Sequence, residues 1–103
     1  MKIVYNNLIP FKGFAAINIF GVLFVRKGVK VTEKMINHEM IHTAQMKEMF
    51  YIFFYLWYFV EWLIRLPFGN AYRSISFEVE AYMFDDCEEY LMNRESLKWI
   101  DYL

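Results

Sequence analysis

The sequence predicts an α+β fold that is mostly helical, and three observations predict it. A β-branched, aromatic and glycine-punctuated stretch lies near the start, a long run without Gly or Pro follows, and a second helix-forming run comes after the turn signal "LPFGN", Leu66 to Asn70. Strands call for the first composition and helices for the others. With 103 residues the chain makes one domain, residues 1–103, and a chain this short buries only about two thirds of the surface its unfolded form exposes. Its apolar fraction of 58% exceeds the roughly 45–50% of ordinary globular proteins, so part of the excess is expected to face something other than water.

In chain order, the segment Phe14 to Gly28, "FAAINIFGVLFVRKG", is bounded by Gly13 and Gly28 and punctuated by Gly21. Two short strands meeting near Gly21, with Ile3 to Tyr5 as a third, make a small N-terminal antiparallel sheet. Thr32 then suits a helix N-cap, and Glu33 suits the positive end of the helix dipole. The run from Val31 to Pro67 is too long for one helix in so small a domain. A break or sharp bend is therefore expected around Lys47 to Phe50, where the polar pattern gives way. Beyond "LPFGN", a further helix takes Ser74 or Ser76 as its cap and stops near Asn93, and "ESLKWIDYL" closes the chain as a short terminal helix.

A net charge of −1 with no run of Lys and Arg argues against nucleic acid as a partner, since a phosphate backbone needs a basic surface. The single cysteine, Cys87, cannot form an internal disulfide, and "MKIVYNNLIPFKG" lacks a charged start, an apolar run and a cleavage site. The expected setting is intracellular, in the cytoplasm.

The chemistry concentrates in residues 37–46, "NHEMIHTAQM", which hold His38, Glu39 and His42 in the pattern HExxH. No other histidine occurs in the chain. Residues four apart on a helix share a face, so both rings can direct a nitrogen to one ion about 2 Å away, as zinc requires. Glu39 is rotated from His38 by roughly 100°, off the metal but within reach of a water on its open side, where it can act as general base. By composition the two histidines fall four apart, with Glu directly after the first, in only about two random placements per thousand, so coincidence is a weak account.

A catalytic zinc site takes about three protein ligands and keeps another position for water or substrate. Without a third histidine the remaining ligand is a carboxylate, and the candidate stretch is "SFEVEAYMF" with Glu78 and Glu80. Two apart on a helix, they diverge by roughly 200°, so only one points to the metal. Ala81, a small residue that lets helices approach closely, and Phe84, four positions beyond Glu80, favour Glu80. Asn37 and Gln45 flank the histidines as candidates for orienting them.

"HEMIH" followed by "EVEAYMF" resembles the gluzincin class of zinc metallopeptidases, in particular the CAAX-prenyl-protease-like and ImmA/IrrE-type peptidases, where the Glu before Ala binds the metal. The resemblance spans roughly residues 31 to 92. It implies a minimal zincin-like core with His38, His42 and Glu80 as Zn2+ ligands and Glu39 as catalytic base. It further implies a peptide or protein substrate lying along the edge strand of the sheet. Tyr72, Arg73 and Tyr82 are the candidate donors to the oxyanion. The alternative is a non-catalytic zinc-binding or interaction module that docks on a membrane surface or partner protein, its fourth ligand drawn from Glu78, Asp85 or Asp86.

"MFYIFFYLWYFVEWLIRLPF", Met49 to Phe68, is uncharged over its first twelve residues, but Glu61 and Arg65 interrupt it before the length of about 20 apolar residues that a span needs. A central helix that also contacts a membrane surface, or a second copy, through residues 49–66 is expected, with Glu61 and Arg65 paired four apart.

Overall fold

A computed structural model describes residues 1–8 and 15–103. The expected boundary at Gly13 and Phe14 lies outside the described residues. Strands β1 (Lys2–Asn6), β2 (Ala16–Ile19) and β3 (Val22–Arg26) form one sheet in the order β1-β3-β2. β2 and β3 are an antiparallel hairpin, Ile19 opposite Val22, closed by Phe20 and Gly21 at φ of 50° and 89°. A two-residue turn with both φ positive follows the natural twist of the strands. Gly21 also lies against the helix that follows, where an added Cβ would meet the Thr43 methyl at 3.4 Å. β1 joins β3 in parallel, Ile3 opposite Leu23, so the sheet is mixed where an antiparallel one was expected. A parallel neighbour arises from a crossover, which strand composition alone does not signal.

Thr32 caps helix α1 (Glu33–Glu48), its hydroxyl accepting from the Met35 N–H at 3.2 Å. The expected break follows directly. Phe50 and Tyr51 take positive φ of 53° and 60°, the Tyr51 N–H donates to the Met46 carbonyl at 2.7 Å, and α2 (Ile52–Arg65) departs at 110° to α1. A 3-10 turn (Leu66–Phe68), α3 (Ala71–Ser74), α4 (Ser76–Phe84), α5 (Tyr90–Asn93) and a 3-10 turn (Lys98–Tyr102) complete the described elements.

The single helix expected after "LPFGN" is therefore three short ones, and neither serine is its N-cap. Asn70 caps α3, and Ile75 precedes α4. The first N–H of α4, that of Ser76, instead donates to the Glu61 carboxylate of α2 at 3.0 Å, and the Ser76 hydroxyl donates to the same carboxylate. Arg65 stands 3.6 Å from Glu61, the expected pair.

The core gathers Met46, Phe54, Ile75, Phe77 and Trp99. Phe77 is its centre, with the Phe54 and Trp99 rings at centroid distances of 4.5 and 4.6 Å. α4 thus lies between α1 on one side and the C-terminal turn on the other, so the sides that carry Glu78 and Glu80 are both buried. Among the described residues no single helix is long and apolar enough to cross a membrane; α1 and α2 reach that length only together, across their bend.

Candidate metal centre

α1 places His38 and His42 one turn apart on the face that meets α4, and α4 brings a carboxylate to them. His38 Nε2 lies 3.0 Å and His42 Nε2 2.9 Å from Glu78 Oε1, and the two Nε2 atoms are 3.1 Å apart. Three potential ligand atoms therefore form a nearly equilateral triangle. A tetrahedral zinc with bonds of about 2.0–2.1 Å sets its donors roughly 3.3–3.4 Å apart, so this donor set accepts the ion after opening by a few tenths of an ångström.

Each ring is held from behind. His38 Nδ1 is 3.1 Å from Asp85 Oδ2, and His42 Nδ1 is 2.8 Å from Gln45 Oε1. The orientation of Gln45 is determined by its other partners: its amide nitrogen donates to the Phe77 carbonyl and to Glu80 Oε1, each at 3.0 Å. Its oxygen must then face His42, which fixes the proton of His42 on Nδ1 and leaves Nε2 turned inward. Asp85 does the same for His38. Two ring nitrogens and a carboxylate oxygen so arranged all present lone pairs to one point, an arrangement that needs positive charge at its centre, a metal ion or a shared proton.

The electrostatics of the metal-free protein follow from that demand. Burial opposes a charge on His42, but the Glu78 carboxylate outweighs it and raises the imidazole from 6.5 to about 9. Burial likewise opposes the charge of Glu78. The positive charge of His42 and hydrogen bonds from His38, His42 and Tyr58 overcome it and hold the carboxyl well below the usual range. Glu78 Oε2 accepts the Tyr58 hydroxyl at 2.7 Å, leaving Oε1 for the histidines.

Glu39 shares the wall of a cavity of about 520 Å³ with His38, His42 and Glu78. Burial raises its pKa, against the lowering effect of His42 and His38, so it is a stronger base than an exposed glutamate. Tyr72 and Tyr82 also line the cavity. The Tyr82 ring packs at 4.5 Å on His38, and the Arg73 guanidinium covers Tyr82 at 4.0 Å. Asn37 is not on the cavity wall.

The third member of the group is Glu78, where Glu80 was expected. Glu80 is fully buried on the opposite side of α4, receiving Gln45, Tyr90 at 2.6 Å and Arg94 at 3.0 Å. The rotation of α4 is determined by Phe77 and Ala81, both completely buried, and this turns Glu78 toward α1. Tyr58 and the outer role of Asp85 were not anticipated. The spacing of Asp85, seven positions beyond Glu78 and so near the same helical face, is the signal that could have found it. No protein-family model, curated protein or solved structure matches the chain.

Proposed function

We propose that the protein is a zinc-dependent metallopeptidase of the gluzincin type, hydrolysing peptide bonds in a peptide or protein substrate. The observation that carries this reading is the convergence of His38 Nε2, His42 Nε2 and Glu78 Oε1 beside the buried carboxylate of Glu39. Those three residues would hold the ion, and three protein donors rather than four favour a catalytic over a structural site. Zinc, when bound, supplies a Lewis acid and lowers the pKa of water.

The chain's own groups do the rest. Glu39 accepts a proton from the attacking water and returns it to the leaving amine, and its raised pKa suits both steps near neutral pH. Tyr72 and Tyr82, on the cavity wall, are donors available to the oxyanion. β2 offers a track for substrate. It is an outer strand of the sheet and lines the cavity through Ala16, Ile17 and Asn18. The Arg26 N–H to Ala15 carbonyl bond sets the ladder so that Ala16 and Asn18 turn their backbone groups to the outer side, where the Asn18 carbonyl takes the Tyr55 hydroxyl. At Ala16 an extended peptide can pair. The exposed, unpaired Cys87 agrees with a reducing, cytoplasmic setting.

The test is zinc content by mass spectrometry on untagged protein, together with hydrolysis of a mixed peptide library. Near-stoichiometric zinc with metal-dependent cleavage supports the reading. A wild-type protein that takes up no zinc at neutral pH sinks it.

A further inference from the structure

α2 is inverted in polarity. Its tyrosines and its glutamate are directed inward: Tyr55 donates to the Asn18 carbonyl, Tyr58 to Glu78, and Glu61 holds Ser76 and Arg65. Its outward positions are Ile52, Phe53, Leu56, Phe59, Leu63 and Ile64, with Val60 between them, all exposed. At roughly 100° per residue these cover an arc of about 140°. No side chain in that arc has a polar atom. Phe50 in the bend and Phe68 in the turn after α2, each 77% exposed, continue the apolar surface at both ends.

We infer that this face docks on a lipid surface, with α2 lying in the plane of the membrane interface. Its size is the first argument. The exposed apolar side chains of residues 50–68, at roughly 100 Å² each, present on the order of 1,000 Å². The largest apolar patch on a typical monomer is about 300–600 Å². Its width decides the occupant. A second copy of the chain would apply one helix to α2, and a two-helix seam uses about two positions in seven. Half of the positions of α2 face outward, so such a partner would leave either Phe59 or Ile64, at opposite margins of the arc, in water. A hydrocarbon phase covers the whole arc.

The face carries no charge, so burial of apolar surface drives docking without anionic headgroups. α2 then separates lipid from cavity. Its inner residues Phe54, Tyr55 and Tyr58 line the same space as His42 and Glu78, which puts the candidate centre about one helix diameter, roughly 10 Å, above the membrane surface. This inference stands on α2 alone and does not depend on metal binding.

Flotation of the full chain with phosphatidylcholine vesicles, with and without phosphatidylglycerol, tests it, alongside sedimentation in buffer. Wild type is expected to float with phosphatidylcholine alone, insensitive to salt. A Phe53→Gln, Leu56→Gln, Leu63→Gln variant, which retains good helix formers, is expected to lose at least tenfold in partitioning with its helical circular dichroism unchanged. The inference is overturned if wild type stays in solution as a discrete dimer, if it floats only with anionic lipid, or if the triple variant floats as wild type does.

Discussion

Glu80 accepts the Gln45 side-chain amide at 3.0 Å, and that bond decides which end of Gln45 meets His42. The glutamate expected to bind the metal thus acts on the site from one residue further out. Arg94, which pairs with both Glu80 and Glu48, extends this support to the C-terminal segment.

Glu78 and Glu80 are therefore expected to behave differently when altered. Glu78→Gln replaces an anionic donor with a neutral amide and is expected to weaken zinc binding well beyond the roughly 10–100-fold typical of outer-shell partners. Gln45→Leu removes the acceptor for His42 Nδ1 and is expected to fall within that range. Glu80→Gln retains an acceptor for Gln45 and is expected to cost about tenfold or less. Competitive titration against a chromophoric chelator measures all three. Tight zinc binding by Glu78→Gln with loss in Glu80→Gln would restore Glu80 as the ligand.

Why the sequence distinguishes these two glutamates poorly is a matter of burial. Choosing Glu80 rested on Ala81 marking the single inward face of α4. α4 has no wet face at those positions, because Glu78 is 7% and Glu80 0% exposed. The partner that neutralises Glu80, Arg94, lies fourteen residues away in a loop that no periodicity announces. The HExxH geometry, by contrast, is intrinsic to one helix, so His38, Glu39 and His42 were legible as a unit. The α1–α2 bend was legible from the change of pattern, although its mechanism was not, since Phe50 and Tyr51 adopt positive φ, which costs non-glycine residues on the order of 1–3 kcal/mol each.

Glu39→Gln is expected to retain zinc and lose turnover by roughly 10²–10⁴-fold, the range for a general base. Metal content and peptide cleavage measured on one preparation separate the two effects. Undiminished cleavage would remove Glu39 from the mechanism.

The shared proton of His42 and Glu78 makes stability depend on pH when metal is absent. His42 has a folded pKa of about 9, above its ordinary 6.5. Its contribution is therefore complete below about pH 6.5 and lost as pH rises through 9. Glu78 is depressed below 4.5, so its contribution is present above that pH and lost as pH falls. The metal-free Tm is expected to be highest between these limits and to decline toward pH 9. Zinc must displace the His42 proton, so its apparent affinity is expected to rise about tenfold per pH unit from 7 to 9. A Tm flat from pH 6.5 to 9, with pH-independent zinc binding, would show that no proton is held there.

Glu61 tests the scaffold rather than the chemistry. Its buried carboxylate takes both the backbone N–H and the hydroxyl of Ser76 at the start of α4, and Arg65 leans on it. Glu61→Leu fills similar volume but leaves the Ser76 N–H without its acceptor, a loss of about 1–3 kcal/mol for a buried polar group. α4 carries Glu78, so a loosened start should also weaken zinc binding, by a smaller factor than Glu78→Gln does. Denaturant midpoints of metal-free Glu61→Leu, alone and combined with Ser76→Ala, separate the cap from general packing. Ser76→Ala removes the hydroxyl but keeps the N–H, so it should add little once Glu61 is gone. Full additivity of the two substitutions would mean that Glu61 does not hold the start of α4 through Ser76.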